Sequence, residues 1–241
     1  MKTSKKHSIT LLALVVVLFC FKAKAQDKAD HSVWDQILIL NVSEDGKVNY
    51  EGVMKDSPLF YQYFRSLSNN PPTEEWTREE KLAYWVNAYN SIAVKMIIDN
   101  YPVKNINELH DPWNQKFFRI KDKRYSLDDI EHKILRKFNE PRIHFIINCA
   151  SSSSPKLMNM AYTAKNINEA LEKCTKDFIN DPTKNIITED QVSLSQIFEW
   201  YKDDFNNGNV TEFINLYSDV KIQKIPKNGY KEYDWALNEQ L

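Results

Sequence analysis

Residues 77–100, TREEKLAYWVNAYNSIAVKMIIDN, are the stretch on which the fold turns. Thr77 and Glu80 form a capping box, in which each side chain accepts a backbone N–H left open at a helix start. Leu82, Trp85, Val86, Tyr89, Ala93, Met96 and Ile97 recur at helical spacing and make one apolar stripe. Tyr101-Pro102 stops the run, because proline lacks the N–H and clashes with the preceding turn. The pattern predicts a long central helix, buried on much of its surface. Asn87 and Asn90 lie one turn apart beside the stripe. Buried amides must be satisfied, so both are expected to hold a loop by hydrogen bonds; the alternative is that they orient a catalytic group.

Working outward, residues 27–40 read as a first helix with Trp34, Ile37 and Leu38 on one face. A turn over 41–46 and a short extended piece over 48–53 follow. Ser57-Pro58 opens a helix that ends before Pro71-Pro72. Downstream, 117–125 reads as a hairpin around Lys121-Asp122-Lys123. Ser126 caps a helix over 126–138. Residues 142–148 are mostly apolar and predict a short strand, and Ser151–Ser154 predict a loop. A helix over 167–179, a hairpin over 185–194, helices over 195–205 and 210–217, and strands over 220–225 and 230–237 complete the chain. Helices come first and short strands gather later. That order predicts an α+β fold, helix-rich and single-domain, with a small, mostly antiparallel sheet.

The first 25 residues have a different composition. Lys2, Lys5 and Lys6 precede an apolar run over 9–21, and Ala23-Lys24-Ala25 offers a cleavage site. The run suits a cleavable signal peptide and is short for a membrane span. The expected organisation is a signal peptide over 1–25, an N-terminal helical segment over 26–74, and a core domain over 75–241. Export, to the periplasm or outside the cell, follows as an expectation. Cleavage removes five lysines and no acid, so the net charge of −1 becomes −6. Such a chain lacks the basic footprint of a nucleic-acid binder. Only four glycines occur, and neither G-x-G-x-x-G nor G-x-x-x-x-G-K is present, so a phosphate-cradling loop is excluded. No metal-ligand spacing stands out, and no cofactor or metal is expected.

Chemistry centres on Cys149, where the predicted strand opens into the serine loop. A nucleophilic thiol there needs a base or a positive environment. The amides of Ala150 to Ser153 offer an oxyanion site. The plain alternative is a packed structural cysteine. Cys174 remains as a second thiol, paired with Cys149 or free. All four histidines beyond the leader precede Cys149, which rules out the papain order. On a strand, His144 would face away from Cys149, so it reads as a core histidine. Glu131 falls inside the apolar arc of the 126–138 helix, where a carboxylate needs a partner or a function. His132 lies at the edge of that arc.

Several strings together are similar to a known family. They are Trp85-Val86-Asn87-Ala88-Tyr89-Asn90, Tyr125-Ser126-Leu127-Asp128-Asp129-Ile130-Glu131-His132, Asn148-Cys149-Ala150-Ser151, and Tyr233-Asp234-Trp235-Ala236-Leu237-Asn238. Over about residues 75 to 238 the chain resembles the domain-of-unknown-function 547 family, which has no settled activity. The family pattern around the cysteine reads Cys-Ala-Ser-x-Ser-Cys-Pro, and this chain carries Ser154 at the second cysteine. The resemblance implies a site in the order Glu131, His132, Cys149, similar in logic to cysteine peptidases and transglutaminases. Cys149 would attack, His132 would take the proton, and Glu131 or Asn87 would orient the histidine, with Asn90, His144 and Ser151 in support. The resulting expectation is a cysteine-dependent hydrolase or acyltransferase acting on peptide-like amide or thioester bonds of a peptide or envelope substrate. The alternative is a non-catalytic envelope binding module with a structural cysteine.

Overall fold

The computed structural model describes residues 28–240. The expected leader lies outside the described residues. Among those residues, no helix is long and apolar enough to cross a membrane.

The long helix forms as its cap and stripe require. It is flanked by α1 (Ser32–Asn41), α2 (Tyr50–Lys55) and α3 (Ser57–Asn69), and itself is α4 (Arg78–Asn100). Both halves of the Thr77–Glu80 capping box are made. Every residue from Leu82 to Val94 is buried. A helix buried all round must be wrapped on every side. Here α2, α5 (Leu127–Lys133) and α6 (Ile167–Asn180) all pack on it. Trp34, Tyr50, Tyr63 and Tyr84 fill the core around it.

A second core gathers phenylalanines. Phe145, Phe178, Phe198, Phe205 and Phe213 pack between α6, α7 (Ile197–Trp200) and α8 (Val210–Tyr217). Neighbouring ring centroids lie 4.8–6.3 Å apart, the range of favourable aromatic pairs.

The fold is α+β and helix-rich. Its strands are two antiparallel hairpins, β1 (Phe118–Ile120) with β2 (Lys123–Tyr125), and β3 (Ile186–Ile187) with β4 (Val192–Ser193). The predicted strands over 220–225 and 230–237 do not form. The C-terminal stretch crosses the molecule instead as a strap, touching it through single bridges. Tyr230 pairs with Leu194, Ala236 with Asn105, Leu237 with Ser151 and Glu239 with Val48. The extended piece over 48–53 likewise shrinks to Val48, which bridges both Val42 and Glu239 before Asn49 caps α2.

The strand predicted over 142–148 is also corrected. Glu140 accepts from the Arg142 amide, Pro141 takes the first turn, and Pro141–Phe145 winds into a 3-10 helix. The run is apolar because it is buried on several sides: Ile143 and Ile146 join the first core, Phe145 the second. An apolar run of that length does not tell a buried strand from a buried turn of helix. The 126–138 helix breaks at Ile134 into α5 and a 3-10 turn, Leu135–Phe138. The 195–205 helix shortens to α7 and a following turn over Lys202–Asp204.

Candidate functional site

Cys149 is held by the α4 amides. Asn90 Nδ2 donates to Ile146 O at 3.0 Å, and Asn90 Oδ1 accepts from Asn148 N at 2.8 Å. Asn87 clamps Tyr162 the same way, at 2.7 and 3.0 Å. Each amide satisfies both of its ends on loop backbone, as buried amides must. Asn148 then donates to Pro155 O and accepts from Ala150 N. Ala150 takes a left-handed φ of 61°, unfavourable for a residue with a Cβ, one position after the thiol.

The sulfur sits among hydroxyls. Cys149 Sγ lies 2.9 Å from Ser154 Oγ, 3.4 Å from Ser151 Oγ and 3.6 Å from Tyr233 OH. Ser151 and Ser154 are 2.8 Å apart, and Tyr233 OH is 3.2 Å from each. The C-terminal strap carries Tyr233 to this point. Burial first, then the neighbouring Cys149, pushes the Tyr233 hydroxyl well above its ordinary range, so it stays a proton donor. Three of the four expected oxyanion amides are already in use: Ala150 N donates to Asn148, Ser152 N to Ala236 O and Ser153 N to Asp234 O. The polar groups in contact with the sulfur are side-chain hydroxyls. Among the described residues, Cys149 and Cys174 are free thiols. Burial pushes Cys174 up to about 11.

A cavity of about 310 Å³ opens over Cys149. It brings the predicted residues Cys149, Glu131, His132 and His144 together. The placement of His144 corrects the strand argument. In the 3-10 turn its side chain is not bound by two-residue alternation, and it reaches the same cavity as the thiol. Nε2 donates to Asp204 at 2.8 Å, and Nδ1 faces Glu131 Oε1 at 4.0 Å. The ring stacks on Tyr201, centroids 4.0 Å apart. Arg136 also donates to Asp204, Nε to the same Oδ2 at 2.6 Å and Nη2 to Oδ1 at 2.7 Å. Burial raises the Asp204 carboxyl, but the bonds from His144 and Arg136 outweigh it and hold it below the usual carboxylate range. Glu131 is buried and accepts from Tyr89 OH at 3.1 Å.

His132 is placed differently. Arg136 Nη1 lies 3.0 Å from its Nδ1, and Asp128 lies 3.4 Å from its Nε2. The hydrogen-bond partners of Cys149 Sγ among the described residues are hydroxyls, and neither imidazole is among them.

A family model described as "Protein of unknown function, DUF547" matches residues 73–179. The chain is DUF547-like. No curated protein and no solved structure matches it. The matched DUF547 region contains α4, α5 and the Cys149 loop, while Asp204, Tyr233 and Trp235 come from outside it. In the family pattern that the chain resembles, position 154 holds a second cysteine. Ser154 occupies it here, in contact with the Cys149 sulfur. Sequence reading missed Asp204, Tyr201 and Tyr233 as site residues. Tyr233 at least stood inside a recognisable string; Asp204 carried no signal, because its meaning depends on His144.

Proposed function

We propose that this chain is an exported cysteine-dependent acyl-transfer enzyme, a hydrolase or acyltransferase acting on peptide-like amide or thioester bonds. The observation that supports it is Cys149 on the wall of a cavity shared with an imidazole–carboxylate pair. A nucleophile, a base and a group that orients the base are the parts such chemistry needs.

Of the two histidines, His144 suits the role of base better. Its Nε2 donates to Asp204, so the neutral ring keeps a lone pair on Nδ1, toward Glu131. In His132 the Arg136 guanidinium already engages Nδ1. In the proposed reaction the Cys149 proton passes to the His144 side. The thiolate attacks the acyl carbon, a C–S bond forms, and the bond to the leaving amine or thiol breaks. The leaving group takes the proton. Water, or an acceptor amine, then attacks the thioester, releasing Cys149 with its proton restored. Ser154, Ser151 and Tyr233 supply donors beside the reacting sulfur.

The test is a panel of thioester, activated-ester and acyl-amide donors, with the acyl-enzyme trapped and weighed as the intact protein. The expected adduct maps to Cys149 and vanishes in Cys149→Ala. Cys174 stays unmodified near neutral pH because burial keeps its thiol protonated. His144→Gln lowers the rate about 10²–10⁴-fold, the range for losing a general base. His132→Gln costs less than about tenfold on the same scale. An adduct that survives Cys149→Ala, or no adduct from any donor with the fold intact, defeats the reading and leaves a binding module.

A further inference from the structure

The walls of the cavity say what kind of group enters it. Trp113, Trp200, Tyr233 and Trp235 line it, together with the carboxylates Asp128 and Glu131; Asp128 N donates to Trp113 O at 3.1 Å, so this acid adjoins the aromatic group. Among the described residues, no lysine or arginine lines it. The Arg136 guanidinium, which touches the lining residue His132, is bound to Asp204 and lies over the Tyr201 ring at 5.7 Å. The aromatic cluster is continuous. Tyr233 lies 4.8 Å from Trp200 and 4.6 Å from Trp235 between ring centroids, and Trp113 is 5.8 Å from Trp235. The Trp200 and Trp235 planes lie within 21° of each other. Trp200 is 48% exposed, although large aromatics are costly to leave in water. Asp128 keeps a side chain 36% exposed and meets the His132 Nε2 at 3.4 Å.

Indole and phenol faces attract cations through the ring quadrupole, and a carboxylate in the same pocket adds Coulomb attraction of the same sign. An anionic group would meet two carboxylates and no lysine or arginine. A neutral apolar group would gain from the rings but nothing from the acids. We infer that the Cys149 cavity selects substrates bearing an alkylammonium group, a protonated amine or a quaternary ammonium, seated on the aromatic cluster beside Asp128. The inference deepens the acyl-transfer reading by naming the substrate class, yet it rests on wall chemistry and is tested by binding alone.

The probe is tryptophan fluorescence of the Cys149→Ala protein, which performs no chemistry. It is titrated with choline, with butylammonium, with butyrate, and with the uncharged analogue of choline in which carbon replaces nitrogen. The expected result is saturable quenching by at least one cation, about tenfold or more tighter than by the analogue, equivalent to about 1.4 kcal/mol or more. A cation–π seat favours choline, and a hydrogen-bonded seat on Asp128 favours butylammonium. Trp200→Ala should weaken the cation severalfold more than it weakens the analogue, and Asp128→Asn should weaken the cation severalfold and leave the analogue unchanged, with thermal melts confirming that both variants fold. Equal affinity for cation and analogue, tighter binding of butyrate, or no quenching by either cation overturns the inference. None of those results touches the acyl-enzyme test, and a missing acyl-enzyme leaves cation binding standing.

Discussion

At the scale of single residues, position and environment pull each titratable group away from what its type suggests. His31 is an example remote from the candidate site. It stands just before α1, without a side-chain capping bond, and packs against Tyr63, whose hydroxyl is 2.8 Å from Nδ1. Burial, opposed by the Asp30 charge, lowers it to about 4 from 6.5. The folded protein therefore holds a neutral imidazole where the unfolded chain holds a charged one. Between those two pH values the unfolded state binds more protons. Stability from this group is complete above about pH 6.5 and is lost as pH falls toward 4, by up to about 3 kcal/mol. Melts of wild type against His31→Gln should show the wild type losing more stability between pH 7 and pH 4.5. Parallel curves would mean that His31 does not titrate as described. Asp129 and Asp204 are held below the usual carboxylate range, so their stabilisation is lost only at lower pH, outside that window. The residue scale also explains why Cys149 could be singled out from sequence while its partners could not. A lone thiol in a short loop is conspicuous; a tyrosine among twelve is not.

At the scale of elements, α4 does two jobs with one sequence pattern. Its apolar residues bind the surrounding helices, and its two buried asparagines, Asn87 and Asn90, fix the loops around Tyr162 and Cys149. Asn90→Ala removes the partners of a buried carbonyl and a buried amide. The expected cost is about 2–4 kcal/mol, from two buried groups left unsatisfied. Differential scanning calorimetry would read it, and cysteine acylation should slow as the loop loosens. A cost below about 0.5 kcal/mol would show that water replaces the amide. Helix starts were legible because capping is local chemistry: Thr77 and Ser126 both make the capping bonds that their sequences predict. The breaks were less so. α5 stops at Ile134 with no proline or glycine to mark it, since the turn there is imposed by packing.

For the whole molecule, the C-terminal strap ties together what the helices leave apart. Asn238 accepts from Tyr50 OH at 2.7 Å and donates to Gly46 O at 3.2 Å, and Val48 N donates to Asn238 O at 2.8 Å. This anchors the strap to the N-terminal segment while Tyr233 and Trp235 reach the cavity. Tyr50→Phe leaves the buried Asn238 oxygen without its donor. We expect a loss of about 1–3 kcal/mol. Hydrogen exchange should speed up over residues 233–240 before it does in α4. Uniform exchange across the chain would argue against a separately anchored strap.

The sequence by itself determined the long helix, its N-terminal cap and both hairpins, because each rests on periodicity or on side chains a few residues apart. Asn87 and Asn90 were legible as loop clamps because a buried amide has few other fates. Only the tertiary structure decided that His144 shares the cavity with Cys149, that Asp204 orients it, and that a tail without regular strands supplies Tyr233. Those contacts join residues 60 and 84 positions apart. Their physical cause is the packing of two separate cores around one 3-10 turn, and no local pattern in the chain encodes that.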